Sequence, residues 1–384
     1  MIISRVILKN WKNFKFIDVE ICRRVFIVGP NASGKSNFLD AFRFLRDIAK
    51  DDGSLQRAVK ERGGISKIRW IPARRQPQIE IEIFLSENEK TQPKWRYALG
   101  IFQETSGYRR PIVQYEKVWK GETLILNRPD PDDNKDPDRL TQTHLEQINA
   151  NASFRDIVKT FESINYLHLV PQLLRHPNVF TGPEMEDDPF GRRFLEKIAE
   201  TTEKTRKSRL RKIENVLQIA VPQLKELEDS KDNRGIPHLQ AIYDHWRPNA
   251  GRQNEEQFSD GTLRLIGLLW SILESDSLLL LEEPELSLHA GIIRQLPGLI
   301  WRLKSKKKRQ MMISTHSYEL LSDPGIHGEE TLMLTPTVEG THVEVASNDE
   351  EIRNLLEGGL TVADAVIPKT QPKDIEQMSI IFNE

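Results

Sequence analysis

A single cysteine, Cys22, occurs in the 384 residues, so no disulfide can close within the chain. No Cys/His group has the spacing of a metal site either. A basic surplus is also missing: 55 Lys and Arg stand against 57 Asp and Glu, a formal net charge of -2. Any surface for nucleic acid must therefore be a local patch. The longest apolar run, around Leu263 to Leu273, is interrupted and too short to span a bilayer. Nothing at the N-terminus reads as a secretory leader, because Met1-Ile2-Ile3-Ser4-Arg5-Val6 runs straight into strand-like sequence. Internal repeats and long heptads are absent, which excludes solenoids and an extended coiled coil. These absences leave the cytoplasm as the expected compartment. With 38% hydrophobic residues the chain can bury the core of one large α/β domain with an insertion, or of two domains.

What is present centres on Gly29-Pro30-Asn31-Ala32-Ser33-Gly34-Lys35-Ser36, a complete G-x-x-x-x-G-K-S phosphate loop. Val25-Phe26-Ile27-Val28 before it reads as a buried strand. After it, Phe38, Ala41, Phe42 and Leu45 recur at helical spacing, starting from Asn37. Strand, loop and helix together predict a nucleoside triphosphate site. Gly29 and Gly34 let the backbone curl so that N–H groups from Asn31, Ala32 and Ser33 onward point inward at the helix N-terminus. Lys35 reaches the β- and γ-phosphates, and the Ser36 hydroxyl ligates Mg2+.

Around this loop the patterns predict mixed structure. Ile2 to Leu8 and Phe16 to Ile21 read as a hairpin. A second short helix runs to Arg62, and Gly63-Gly64 breaks it. Ile79 to Leu85 alternates strictly, with Trp95 to Phe102, Ile112 to Trp119 and Leu124 to Leu126 as antiparallel neighbours. Asn127 to Asp138 is acidic and holds three prolines, a surface loop rather than a metal site. His144 to His168 reads as helical, followed by a Pro-bounded link over Val170 to Pro177. Gly191 to Ala220 reads as one helical stretch, about 45 Å long if continuous. It carries the basic run Arg206 to Lys212, either a phosphate-backbone contact or a solvated face; the balanced charge favours the solvated face. Lys304 to Arg309 reads as a solvated helix end in the same way.

Three further stretches carry chemistry. Ser277-Leu278-Leu279-Leu280-Leu281-Glu282-Glu283-Pro284-Glu285 is an apolar strand that ends in acids. Glu282 would hold Mg2+ directly or through water, and Glu283 would orient or deprotonate the attacking water. Phe258-Ser259-Asp260-Gly261-Thr262 opens an apolar helix, where Ser259 and the Gly261 backbone can donate to an anion. Met311-Met312-Ile313-Ser314-Thr315-His316-Ser317 is a strand ending in a histidine, one helix after the acids.

In this order the motifs resemble the ABC-type ATPases, and more narrowly their RecF/OLD/SMC-like branch. The opening Leu8-Lys9-Asn10-Trp11-Lys12-Asn13-Phe14 resembles that branch's N-terminal strand and turn. The resemblance covers about residues 1–85 and 222–345. It implies an α/β ATPase head with a mixed sheet, an antiparallel β-subdomain and a short helical insertion. The implied division is a phosphate-loop lobe at 1–127, a helical arm at 128–221 and a second lobe at 222–384. It implies ATP and Mg2+ as ligands, Glu283 as catalytic base and His316 as switch histidine. Ser259 and Gly261 become a signature that meets the γ-phosphate of an opposite subunit in a homodimer. Ser287-Leu288-His289 becomes the loop coupling the two sites. Two departures stand out. Glu282 replaces the usual Asp, and the Mg2+-sensing glutamine falls to either Gln78 or Gln172, with Gln172 slightly favoured.

OLD-type proteins continue into a TOPRIM nuclease domain and SMC-type proteins into a long coiled coil. Neither pattern occurs here, so the expectation is a stand-alone ATPase head with any effector on a separate chain. The leading expectation is an ATPase that regulates a partner nuclease or toxin in phage defence, with possible DNA or RNA contact. The alternative is a RecF-like repair ATPase that acts without a nuclease partner. A transporter subunit fits poorly, for lack of a membrane-coupling segment.

Overall fold

Strands Ile2–Trp11 and Phe14–Glu20 pair antiparallel and begin a six-stranded antiparallel sheet. Its order is Phe14–Glu20, Ile2–Trp11, Ile79–Ser86, Trp95–Gln103, Pro111–Lys120, Thr123–Arg128. The alternation read in Ile79 to Leu85 is real: Ile79, Ile81, Ile83 and Leu85 are all buried. The computed structural model describes residues 1–73, 77–89, 91–177, 188–244, 251–305 and 309–371. Two units emerge, one of Met1–Ile164, Gln310–Tyr318 and Ile326–Glu384, the other of Asn165–Arg309 and Glu319–Gly325.

In the first unit, strand Arg24–Val28 leads into the phosphate loop and then helix Lys35–Ala49. This strand lies between Met311–Thr315 and Thr331–Thr337, parallel to both, and Gly340–Val345 pairs antiparallel with the latter. The expected helix stripe of Phe38, Ala41, Phe42 and Leu45 is fully buried. Aromatic rings lock the helix to the opening hairpin: Trp11 meets Phe44 at 5.4 Å between centroids, and Phe14 meets Phe38 at 6.5 Å.

The segment after this sheet departs from expectation. Asn127 to Asp138 is not a surface loop throughout, since it contains helix Pro131–Lys135 and the buried Arg128 and Asp133. Arg128 reaches Glu116 at 3.1 Å and Asp133 at 2.9 Å, with all three side chains sealed from solvent. Glu116 also accepts from the backbone N–H groups of His144 and Leu145. This buried charge cluster holds the backbone where a helix was expected. Of His144 to His168 only Arg155–Glu162 is α-helical, and Asn165–Leu167 is a strand.

In the second unit the expected long helix is two, Phe194–Glu200 and Glu203–Ala220. Thr201 and Thr202 break it with extended ψ angles of 137° and 140°. β-Branched residues resist the helix, and here the Thr201 hydroxyl donates back to the Lys197 carbonyl. The second piece spans about 27 Å, not 45 Å. Its basic run is partly tied down: Arg206 pairs with Asp229 and Lys207 with Glu203, while Arg209 stacks over Trp270. The Val170 to Pro177 link contains a short helix, Pro171–Arg175. A hairpin that the sequence reading missed, Leu224–Lys231 with Pro237–Tyr243, forms a three-stranded sheet with Arg252–Asn254. Residues 306–308 of the second basic cluster lie outside the described residues. Arg309 is no solvated helix end. It is buried, its Nε donates to the Ser277 carbonyl at 2.6 Å, and burial lowers its pKa to about 10.

Candidate functional site

The phosphate loop sits on a backbone that few residues tolerate. Ala32 has φ 62° and Gly34 φ 100°, both left-handed. A Cβ at Gly34 would stand 2.2 Å from the Asn13 amide nitrogen, so only glycine allows the approach. A Cβ at Gly29 would stand 2.8 Å from the Leu334 carbonyl oxygen of the neighbouring strand. Asn31 and Ala32 are exposed at the crest, and Ser36 is exposed at the helix start. Lys35 is buried, its Nζ 2.8 Å from the Gly29 carbonyl and 3.1 Å from that of Pro30. The buried Ser33 Oγ has no hydrogen-bond partner among the described residues. This curled cradle, lined by an orphaned hydroxyl and a buried lysine, fits a phosphate.

Asn13, quoted above only as part of a resembling turn, turns out to be the clamp. Its Nδ2 donates to the Ser33 carbonyl and to Thr341 Oγ1, each at 2.8 Å. Asn37 Nδ2 donates to Asn13 Oδ1 at 2.8 Å, and Trp11 Nε1 donates to the Asn37 carbonyl at 2.7 Å. Behind the loop, burial disfavours the charge on Asp40, but Arg62 and Lys12 overcome it and hold the carboxyl at about 2. A cleft of about 870 Å³ opens beside the clamp, bounded by Asn13, Asn37, Lys67, Arg69 and Trp70.

His316 reaches the loop by register. Strand Met311–Thr315 pairs in parallel with Arg24–Val28 and places Thr315 opposite Val28, so His316 leaves its strand level with Gly29. His316 is exposed there. Gln78, one of the two candidate sensors, instead donates to Glu80 at 3.3 Å.

The second unit carries the other motif residues. Strand Leu279–Glu282 pairs in parallel with Asn165–Leu167 and delivers Glu282 at its end. The Tyr166 hydroxyl donates to Glu282 Oε2. Glu283 follows with φ 45° and Ser287 with φ 63°, both left-handed non-glycine positions. Such backbone is held against strain by its surroundings. Ser259 caps helix Asp260–Glu274, its exposed Oγ accepting from the Thr262 N–H at 3.1 Å. A Cβ at Gly261 would stand 2.6 Å from the Ser287 carbonyl oxygen, so the turn at Ser259 to Thr262 packs closely on the loop at Ser287.

Gln172 and Arg175 fasten that turn from helix Pro171–Arg175. Gln172 Nε2 donates to Asp260 at 3.1 Å; Arg175 donates to Asp260 at 2.6 Å and to the Phe258 carbonyl at 2.7 Å. Arg264, one turn into helix Asp260–Glu274, is buried with Nε and Nη1 unpartnered among the described residues. Burial lowers its pKa, opposed by Asp260, Glu285 and Glu283. Neither Tyr166 nor Arg264 was picked out from sequence. Tyr166 lay in a segment read as helix, and Arg264 passed as one charge in an apolar run.

Burial pushes the Cys22 thiol up to about 11, which disfavours the reactive thiolate near neutral pH. Among the described residues no three His, Cys, Asp or Glu side chains gather as a metal cluster, and no helix is long and apolar enough to cross a membrane. A phosphate-loop Mg2+ needs no such cluster, because substrate phosphates and water supply most of its ligands.

Comparison with known proteins adds three findings. Among solved structures, the chain is similar to a crystal structure of the Smc head bound to the C-winged helix domain of ScpA. The identity is 16% and the TM-score 0.53, covering 90% of this chain and 98% of that one. It is also similar to a Smc head domain with an extended coiled coil, bound to the C-terminal domain of ScpA derived from Pyrococcus furiosus. There the identity is 14% and the TM-score 0.51, covering 93% and 99%. At these identities the likeness establishes the fold alone, an α/β fold with mixed sheets and helical insertions of the kind found in ABC/SMC-type ATPase heads. A search of curated proteins finds no match. The model of one family spans residues 24–322, from the phosphate-loop strand past His316. On that match the chain belongs to the family described as AAA domain, putative AbiEii toxin, Type IV TA system.

Proposed function

We propose that this P-loop domain binds ATP with Mg2+ at the loop around Lys35, hydrolyses it, and through ATP-dependent dimerisation controls a separate nuclease or toxin in a cytoplasmic anti-phage system. The observation that carries the reading is the strand–loop–helix cradle with His316 set level with Gly29 on the adjacent parallel strand. Backbone N–H groups from Asn31 to Asn37 and the Lys35 ammonium would hold the phosphates. Ser36 and Glu282 would hold Mg2+, which neutralises charge on the phosphates when bound. Glu283 would orient or deprotonate water, and His316 would touch the γ-phosphate. Ser259 and the Gly261 backbone would serve the ATP of a second copy. The nucleoside end has a natural place in the cleft with Trp70, which shares Asn13 and Asn37 with the loop.

The family description names a toxin–antitoxin system, which supports a role in defence. A RecF-like reading without a nuclease partner is favoured by a different observation: Lys204, Lys207, Arg211 and Lys212 are exposed on helix Glu203–Ala220.

The deciding measurement is the solution mass of Glu283→Gln and Lys35→Ala with and without ATP, alone and co-expressed with genomic neighbours. Glu283→Gln should bind ATP, fail to turn it over and dimerise only with ATP; Lys35→Ala should lose nucleotide binding. A retained neighbour supports the effector reading, and DNA-stimulated hydrolysis without one supports the repair reading. Undiminished hydrolysis by Glu283→Gln would falsify its assignment as the base.

A further inference from the structure

We infer that Tyr166 is the positioning residue for Glu282, the neutral donor that lets a glutamate serve where a shorter aspartate is usual. The inference rests on the reading of Glu282 as the metal-side acid. Parallel pairing sets Tyr166 opposite Leu280, two residues before Glu282. Side chains two apart share a face of a strand, so Tyr166 and Glu282 project to the same side. The phenol is buried, 7% exposed, and its hydroxyl donates to Glu282 Oε2.

The chemistry of that donor matters. Glutamate has one more rotatable bond than aspartate, so its carboxylate samples more positions unless something holds it. A lysine or arginine would hold it but would neutralise the charge a cation needs. A tyrosine hydroxyl stays protonated near neutral pH and donates one hydrogen bond, leaving the carboxylate its negative charge. Partners of metal-binding carboxylates act in this way in general, and their removal typically lowers metal affinity or activity by about 10–100-fold.

The test uses the full chain and variants Tyr166→Phe, Glu282→Gln, Glu282→Asp and the double variant Tyr166→Phe/Glu282→Asp. Two quantities are read: the Mg2+ dependence of affinity for a fluorescent ATP analogue, and binding of Mn2+ to the nucleotide complex by electron paramagnetic resonance. Tyr166→Phe should keep metal-free nucleotide affinity within about twofold and weaken divalent-ion binding about tenfold. Glu282→Asp draws the carboxylate back from the hydroxyl, so adding Tyr166→Phe to it should cost nothing further. If Tyr166→Phe leaves both readouts unchanged while Glu282→Gln alters them, the role of Tyr166 is overturned and that of Glu282 stands. If Glu282→Gln itself leaves the metal response intact, the reading of Glu282 fails, and this inference with it. Equal loss of metal-free and metal-bound affinity in Tyr166→Phe would mark a merely structural role and overturn the proposal.

Discussion

The Asn13 side chain touches three segments that lie up to 328 residues from it in sequence: the phosphate loop, the first turn of its helix, and Thr341. Asn13→Ala deletes these bonds and leaves the Ser33 carbonyl with Thr341 alone as a side-chain partner. We expect a loss of about 2–3 kcal/mol in unfolding free energy and about tenfold in ATP affinity, checked by denaturant titration and nucleotide binding. Arg264 should behave in the opposite sense. A buried guanidinium with unpartnered nitrogens costs stability, so Arg264→Met should be neutral or raise it by about 1–3 kcal/mol in thermal or chemical unfolding. Its turnover should fall if the buried charge steers the acids of the following loop. Residues whose placement is local were legible in the sequence: the tight turn at Gly34, the lysine after it and the strand that ends at Glu282 all declare themselves by spacing. Asn13 and Tyr166 were not, because each acquires its role from a neighbour in space, across a turn or a strand register.

Strands with strict alternation or strong apolar runs were read nearly to their ends, from Ile79–Ser86 to Met311–Thr315. Helices were harder where charge, not an apolar stripe, orders the chain. The stretch after Thr123–Arg128 is the clearest example, since its backbone is fixed by Glu116, Arg128 and Asp133. His144 sits against that cluster, and burial together with Arg128 lowers its pKa from 6.5 to about 4. The folded state thus prefers neutral imidazole. As pH falls from about 6.5 toward 4 the unfolded chain takes up this proton first, so the contribution is full above 6.5 and is lost across that window. The gap in thermal midpoint between pH 7.5 and pH 5 should narrow in His144→Gln, with little change at pH 7.5. An unchanged gap would assign the acid sensitivity to other groups. The hairpin Leu224–Lys231 with Pro237–Tyr243 escaped notice for a related reason: Leu224 and Leu227 are buried, but charged residues fill most of its first strand.

At the scale of the whole molecule the fold class was legible because the motifs fall in one order along the chain, and order is a property that sequence keeps. Partner and trigger are not written that way. If the exposed lysines and arginines of Glu203–Ala220 meet nucleic acid, reversing Lys204, Arg211 and Lys212 to Glu should weaken DNA binding and flatten its salt dependence by about three in log–log slope. ATPase activity without DNA should be unaffected.

The placement of Arg24–Val28 between Met311–Thr315 and Thr331–Thr337 also bears on biosynthesis. The loop leaves the ribosome early, but both strands that flank it are translated nearly three hundred residues later. At about 10 residues per second, that delay is roughly half a minute. Until then the loop has no neighbouring strand on either side and no Thr341 to close its clamp. A prematurely terminated product would carry the whole motif without the two strands and the threonine that brace it, so its affinity for ATP should fall well below that of the full chain.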